Sequence, residues 1–586
     1  MRNLQWLKIK EILGNYIFHL LLYAVFLLYA LLPYYHDGCL LLGGEGNFIL
    51  DFTIYSKKSH FAWVSSYGYA MANTSINPVG LNCLLLCLIE KLFSNPAIPN
   101  FALVFSIYFL PFFAMYIACK EIKATPFVCF FCSFSYVNNP FMLQYLLNLN
   151  QWCVFSVAIM PLYLWLIIKY YKSNFKLFLF SGCLSVCFSF SFANPPTIVI
   201  IYISIIISTI IASYCSTNRF LVIESIRKVS ILYLSFSLFN IWWILNIFET
   251  LSDTLKKYPH SLTQSFLDTS SFLNRALFAK MYSSTISETP YVFFIDLYSN
   301  ALARLIMLTP IFIIVSDMLF IGNKKTNNFL KCILLGMLSI VLFLVKGNAN
   351  PFGFVFNFLF KNIPLFTMFK SSVEKFGIMY IFIFFVLLLF TLRDIKYGNT
   401  HKVVLTGICI AYSVFCSIPL VTRNIIPDCK IGNNAYASRK YKDKPEYKQL
   451  RTEVNKDSLE YRIFCLPGSA NYQVCLENYK NKYYTGMNPV FMNTKKAFIE
   501  PYLNSNFPLY ATISSINHKK YLGIYNIGKV VINDDMVPWF GFVEKESVGE
   551  LKRIFNKFMP SETFGAITLY DNKDYFLPHI YAAAHY

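Results

Sequence analysis

Long apolar runs, separated by short polar connections, constrain this chain more than any other feature. An apolar stretch of about 18 residues or more is long enough to cross a lipid bilayer as a helix. The chain is 56% hydrophobic and only 14% charged, which excludes a soluble globular protein. We therefore predict a polytopic α-helical membrane protein. The eleven predicted spans cover residues 15–35, 101–119, 124–138, 152–170, 176–193, 197–214, 229–248, 300–320, 329–346, 375–393 and 402–420.

The basic residues alternate with the predicted spans. Every second connection contains Lys or Arg, such as Lys120 and Lys123, whereas the connections 138–151 and 193–197 contain neither. Basic residues are enriched in the cytoplasmic loops of membrane proteins. We therefore expect the N-terminus, a retained signal anchor, to be cytoplasmic and the C-terminus to lie outside. The same sidedness explains much of the formal charge of +20, so we expect no nucleic-acid partner.

The chain divides into two predicted domains. Residues 1–422 form a multi-span domain, in which the first outer loop covers 36–100. Within that loop, the apolar segment 78–93 is too short to span and predicts a juxtamembrane helix on the outer leaflet. Residues 423–586 turn polar, with strand-like runs among Asn, Gly and Pro turns, and predict an extracytoplasmic α/β domain.

Three cysteines of the predicted outer domain bear on its redox state. Cys429, Cys465 and Cys475 could form one disulfide in an oxidising compartment. The sequence leaves the pairing open.

The first outer loop begins with an acidic, glycine-rich stretch. HDGCLLLGGEGNFILDF (36–52) contains Asp37, Glu45 and Asp51. A carboxylate at the membrane surface can act as a general base, taking a proton from an acceptor hydroxyl as its oxygen attacks an activated carbon. The glycines around Glu45 allow the backbone to approach a substrate closely. The alternative is that these acids are solvated loop charges or helix N-caps.

The two acids of this stretch raise the question of a metal. Glu45 and Asp51 lie six residues apart, a spacing that could bind Mg²⁺ or Mn²⁺ weakly or not at all. A divalent cofactor therefore stays open.

The sequence favours a lipid-linked donor over a nucleotide-linked one. Neither GxxxxGK[ST] nor a helix-opening GxGxxG occurs on the predicted cytoplasmic side. Arg275, Lys280, Lys370 and Lys375 lie in outer segments, against the sidedness rule, and a lipid phosphate at the membrane boundary would explain them. Headgroup anchoring or solubility is the alternative. Because we expect Lys370 and Lys375 in a loop, truncating them should leave no buried charge unpaired.

Several stretches of the chain share motifs with one group of membrane enzymes. They are GGEGNFILDF (43–52), NPVGL (77–81), SYVNNPFMLQYLLNLNQWCVFSVAIMPLYLW (135–165), SSFLNRALF (270–278), KGNANPFGFVFNFLFKNIPLFTMFKSSVEKFG (346–377) and the tail segments 521–534 and 567–581. These stretches resemble GT-C-type glycosyltransferases, especially the arabinofuranosyltransferase-like and YfhO-like groups. In those groups KFG precedes a span, matched here by Lys375, Phe376 and Gly377, while Lys370 stands where Arg is usual and Ser372 where Pro is usual. Lysine keeps the charge but lacks the bidentate fork of Arg.

The resemblance implies a reaction and roles for individual residues. Such enzymes transfer a sugar from a polyprenyl-phosphate carrier, and the acid corresponding to Glu45 or Asp51 is the base. Lys370, Lys375 and Arg275 would hold the donor phosphate, with Asp37 as an auxiliary acid. The expected acceptor is a cell-envelope glycan or a lipid-linked precursor, outside a bacterial inner membrane.

Two other functions compete with glycosyl transfer. A flippase or exporter of lipid-linked glycans would need no base, but it should carry ionisable residues or broken helices at mid-membrane, and most predicted spans lack charge. A non-catalytic membrane protein of envelope assembly is the second alternative. The sequence leaves the sugar, the acceptor and the linkage open.

Overall fold

The computed structural model contains the membrane region and parts of the C-terminal region. For some stretches, including Asp37, only the backbone is described. The described residues are 16–41, 63–66, 69–72, 80–93, 95–143, 151–192, 195–217, 221–257, 301–321, 325–363, 366–370, 372–395, 399–423, 429–431, 435–438, 440–459, 461–467, 473–477, 483–487, 496–499, 522–523, 526–536 and 545–572.

Helices dominate the first three quarters of the chain. In order they are α1 Tyr16–Leu31, α2 Gly80–Phe93, α3 Ala97–Glu121, α4 Pro126–Val137, α5 Gln151–Tyr170, α6 Asn174–Cys187, α7 Pro195–Thr217, α8 Val222–Lys257, α9 Ala301–Ser316, α10 Lys325–Val345, α11 Gly353–Asn362, α12 Ser372–Asp394 and α13 Asn399–Val421. Tight turns of 3-10 helix cover Leu32–Gly38, Ser189–Phe192 and Phe366–Phe369, and a π-helical turn, Asp317–Ile321, follows α9.

Each of the eleven predicted spans coincides with an apolar helix. Among the described residues, seven helices are long and apolar enough to cross a membrane. Four more are apolar but shorter: Pro126–Val137, Phe155–Tyr170, Asn174–Cys187 and Leu305–Leu319. The predicted multi-pass membrane fold is therefore confirmed.

Helix α12 lies at the centre of the bundle. The whole of its apolar window is buried, and it packs against α4, α9 and α10. A helix that is apolar around its full circumference is suited to the core of a large protein or to a membrane, and here other helices cover it. The peripheral helices instead leave apolar side chains exposed, as at Leu21 and Val25 of α1, which suits contact with lipid.

The segment predicted as a juxtamembrane helix forms the 14-residue helix α2. Leu84, Leu88 and Leu92 lie on one exposed face of it, while Leu86 and Cys87 are buried. An exposed apolar stripe on a short helix is typical of contact with a membrane interface. Its location relative to the bilayer stays a prediction.

The basic connections gather at one end of the bundle. Lys120, at the end of α3, lies over the ring of Tyr16 at the start of α1, 4.2 Å from its centroid. Lys331 lies near the start of α10, beside the end of α12. Its Nζ lies 2.6 Å from an Asp317 carboxylate oxygen and 3.4 Å from an Asp394 carboxylate oxygen. A lysine buried between two carboxylates keeps its charge paired. We call this the basic end and the other one the opposite end.

The C-terminal region contains two main sheets. Their strands are β4 Cys429–Ile431, β5 Ala435–Ser438, β7 Arg462–Leu466, β8 Gln473–Glu477, β9 Tyr483–Met487, β10 Ala497–Ile499, β11 Ile527–Asn533, β12 Ser561–Phe564 and β13 Ile567–Asp571. In the five-stranded sheet the order is β10-β7-β11-β13-β12, with β10, β7 and β11 parallel and the other pairs antiparallel. The four-stranded sheet has the order β4-β5-β9-β8. The same region contains helices α14 Pro445–Lys456 and α15 Lys545–Asn556.

This region confirms the predicted α/β fold. All seven residues of β11 are buried, as expected for an interior strand of a covered sheet. Cys465 is buried in β7, while Cys429 and Cys475 lie in the other sheet. Whether any two of these cysteines pair stays a prediction.

The start of the first predicted outer loop contacts the C-terminal region directly. Strand β1, Leu40–Leu41, pairs antiparallel with β6, Lys440–Tyr441. The Tyr34 hydroxyl also donates a hydrogen bond to the Arg423 carbonyl. A separate two-stranded sheet joins β2, Trp63–Ser66, to β3, Tyr69–Ala72.

Candidate functional site

Two segments that carry the family resemblance contact each other at the opposite end of the bundle. The Ser372 hydroxyl donates to the Val345 carbonyl across 3.1 Å, which joins the start of α12 to the end of α10. A methyl group added at Gly377 would lie 2.3 Å from the Phe141 ring. The absence of a side chain at Gly377 therefore allows the Phe141 ring to pack directly on α12.

Lys375 is buried within the first turns of α12. Only 7% of the residue is exposed, and its Nζ lies 3.3 Å from a Glu374 carboxylate oxygen. The expectation that it lies in an outer loop is wrong, because the helix already begins at Ser372. Removing Lys375 would take this partner from a mostly buried carboxylate, so from the structure we expect a measurable cost in stability.

Lys370 lies just before α12, after the 3-10 turn Phe366–Phe369. It is half-buried, and its backbone N–H donates to the Thr367 carbonyl across 3.2 Å. This placement agrees with the expected loop location. Lys370 therefore lies half-buried just before the start of α12, and Lys375 lies buried just after it.

Lys346 is a third cation at this end, and the motifs alone assigned it no role. It directly follows α10, is 5% exposed, and its Nζ donates to the Ala349 carbonyl across 2.6 Å. Burial lowers the pKa of Lys346 below its ordinary value because desolvation penalises the ammonium form. An anion bound beside it would offset that penalty. The clue in the sequence was its place at the head of the KGNANPFG motif.

The loop after Lys346 is tightly folded. A Cβ at Gly353 would lie 1.9 Å from the Asn348 carbonyl oxygen, a distance that no side chain tolerates. The preceding residue, Phe352, has a φ of 63°. The glycine of the PFG motif is thus required by close backbone approach.

Asn100 fixes the start of the acidic loop. Its side chain is buried and bonds to both backbone groups of Leu41: the Leu41 N–H donates to Oδ1 across 3.2 Å, and Nδ2 donates to the Leu41 carbonyl across 3.1 Å. Asp37 lies within the 3-10 turn Leu32–Gly38, where only its backbone is described. Glu45, Asp51 and Arg275 lie outside the described residues.

A polar contact links α1, which leads into the acidic loop, to the segment that packs on α12. The Tyr23 hydroxyl of α1 donates to Asn138 Oδ1 across 3.5 Å, and Asn138 directly follows α4. Asn138 is fully buried, and its Nδ2 has no hydrogen-bond partner within the described part of the chain. The helix before the acidic loop and the start of α12 thus contact the same short turn.

The described residues contain no group of three or more His, Cys, Asp and Glu side chains that could hold a metal ion. The metal question from the sequence concerns Glu45 and Asp51, which lie outside those residues.

The fold is similar to that of solved structures of a mycobacterial enzyme. The cryo-EM structure of the arabinofuranosyltransferase AftD from Mycobacteria matches with a TM-score of 0.62 and 11% identity over 94% of this chain and 39% of that chain. Two structures of a mutant of that enzyme match over 94% of this chain and 41% of theirs, also at 11% identity, with TM-scores of 0.60 and 0.55. The chain thus spans about two fifths of the length of these neighbours.

These comparisons confirm the fold that the motifs suggested. Comparison with protein-family models finds no match, and neither does comparison with curated protein sequences. At 11% identity the structural likeness shows a shared fold. Function must therefore be argued from the site.

Proposed function

We propose that this protein is a membrane glycosyltransferase that takes a sugar from a polyprenyl-phosphate carrier. The observation that carries the proposal is the group of lysines at the opposite end of the bundle. Lys375 and Lys346 are buried near the junction of α10 and α12, and Lys370 lies half-buried beside it. Buried cations at a membrane boundary favour an anionic ligand, and a lipid phosphate has the required charge and location.

The proposed reaction is a displacement at the anomeric carbon of the donor sugar. Glu45, or Asp51 in its place, accepts the proton of the acceptor hydroxyl, and Asp37 acts as an auxiliary acid in the same loop. The acceptor oxygen forms the new bond to the anomeric carbon as the bond from that carbon to the phosphate oxygen breaks. The phosphate leaves with the electron pair, and Lys370, Lys375 and Arg275 stabilise its charge.

Lys346 extends this set of phosphate contacts. Lys346 is buried and directly follows Val345, whose carbonyl accepts a hydrogen bond from Ser372 of α12. Related sequences have Arg at the position of Lys370, and its guanidinium can bind a phosphate through two parallel hydrogen bonds. Lys370 supplies only a single point charge, so Lys375 and Lys346 would also contact the phosphate.

We place this reaction on the outer face of a bacterial inner membrane. The alternation of basic and uncharged connections puts the basic end in the cytoplasm and the lysines outside. The acceptor is a cell-envelope glycan or a lipid-linked precursor. The pairing of β1 with β6 supports a role of the C-terminal domain, residues 423–586, in holding the acidic loop.

Glycan analysis of cells with and without the gene tests this function. We expect the deletion to remove one sugar or linkage from a surface glycan while its polyprenyl-phosphate donor accumulates. Restoring the wild-type gene should reverse both changes. A flippase of lipid-linked glycans would instead strand a complete precursor in the inner leaflet, and that result would overturn the proposal.

A further inference from the structure

A groove lies between α7 and α8, towards the basic end of the bundle. It has a volume of about 340 Å³ and is lined mainly by aliphatic side chains, including Ile206 and Ile210 of α7 and Ile226 of α8. Both helices are long and apolar enough to span a membrane. The groove therefore lies between two candidate membrane spans, on a surface where Ile206 and Ile226 are exposed.

A pair of tyrosines joins the two helices at one end of the groove. The Tyr233 hydroxyl donates to the Tyr202 carbonyl across 2.9 Å, and the two rings meet edge to face with centroids 4.5 Å apart. Beyond Tyr233, towards the start of α8, the facing residues Val229 and Ser230 are too short to fill the gap.

The start of α8 places charge beside this apolar space. Glu224 Oε1 lies 3.1 Å from Arg227 Nη2 and 3.1 Å from Lys228 Nζ, so two cations share one carboxylate. Lys228 is buried and donates to Asn174 Oδ1 across 2.6 Å, whereas the Arg227 side chain is 57% exposed. Arg227 precedes Ser230 by three residues, which places both on neighbouring positions of one helix flank.

A polar group also lines the groove near the same end. Ser225 is buried, and its hydroxyl has no hydrogen-bond partner among the residues that the structure describes. A buried hydroxyl without a partner carries a desolvation cost that an acceptor oxygen would remove. A glycerol ester carbonyl is such an acceptor at the depth where a helix meets the membrane surface.

We propose that this groove binds one acyl chain of an anionic phospholipid. The chain lies along the aliphatic walls, the ester accepts from Ser225, and the anionic headgroup contacts Arg227. The site lies at the basic end, away from the lysines proposed to bind the donor, and does not depend on the proposed glycosyl transfer. The net positive charge at its mouth selects an anionic lipid over a zwitterionic one.

Native mass spectrometry of the purified full chain tests the site. After equilibration with equimolar phosphatidylglycerol and phosphatidylcholine, the wild type should retain one phosphatidylglycerol. Ser230→Phe fills the groove and should lose this lipid. Ser339→Phe is the matched control, because Ser339 is an exposed serine on α10 whose hydroxyl bonds the Leu335 carbonyl of its own helix.

A second variant leaves the walls of the groove intact. Arg227→Gln should still retain a lipid but lower the preference for phosphatidylglycerol about fivefold. Equal retention of both lipids by the wild type would contradict the charge argument. Retention by Ser230→Phe at the wild-type level, or a second copy of the chain on this face in place of lipid, would overturn the site.

Discussion

Replacing Lys375 with methionine should reduce both stability and donor use, for two separable reasons. Methionine keeps much of the apolar stem, so the change chiefly removes the ammonium. The Lys375 Nζ lies 3.3 Å from a Glu374 carboxylate oxygen. The Lys375 side chain is 8% exposed and the Glu374 side chain is 18% exposed. Removing one partner of a fully buried ion pair lowers the free energy of unfolding by about 3–5 kcal/mol. Because Glu374 retains some contact with solvent, we expect a smaller loss, about 1–3 kcal/mol.

The loss in donor use follows from the proposed phosphate contact. Losing one hydrogen bond to a charged group costs about 1.5–3 kcal/mol. The kcat/KM for the donor should therefore decrease roughly ten- to a hundredfold. The double variant Glu374→Gln/Lys375→Met has no unpaired carboxylate. It should recover most of the lost stability but none of the lost transfer.

Thermal unfolding and donor turnover, measured on the same preparations, separate the two effects. If the double variant recovers transfer together with stability, Lys375 serves only to pair Glu374. If the single variant transfers at the wild-type rate, the lysine does not bind the donor phosphate at all.

Glycine packing, Lys370 and the membrane orientation can each be tested separately. Gly377→Ala should destabilise the fold by about 1–3 kcal/mol in thermal unfolding, because the new methyl group overlaps an aromatic ring, whereas Gly336→Ala has open space and should not. Lys370→Ala should lower donor kcat/KM by roughly ten- to a hundredfold, and Lys370→Arg should preserve it; equal activity of the alanine variant would exclude a phosphate contact. Reporter tags after Lys325 and after Tyr586 should report the cytoplasm and the exterior, and a cytoplasmic C-terminus would contradict the proposed orientation.

The apolar runs were sufficient to predict where the helices lie, but not where each one begins. The tenth span was predicted from Lys375, whereas α12 begins at Ser372. Hydropathy measures only the apolar length, while a helix also includes a polar first turn, here Ser372 to Lys375. This difference of one turn moved Lys375 from a loop to a buried position.

The candidate site depends on contacts between residues that are far apart in the chain. Gly377 packs on Phe141, and Leu41 bonds to Asn100, so neither contact follows from the periodicity of a single segment. Lys346 was missed because a lysine at the end of an apolar run ordinarily reaches water. Lys346 is buried because the loop that follows it folds back, so that the Ala349 carbonyl accepts from its Nζ.

The transfer rate of Glu45→Gln tests the central claim most directly. The substitution keeps the shape and hydrogen-bonding reach of the side chain but removes its basicity. With a polyprenyl-phosphate sugar donor and the purified, membrane-reconstituted protein, we expect a normally folded variant whose rate falls by about 10²–10⁴-fold. Asp51→Asn should be impaired to a similar or lesser degree. Full transfer by both variants would contradict the account, because the acidic loop would then have no catalytic role.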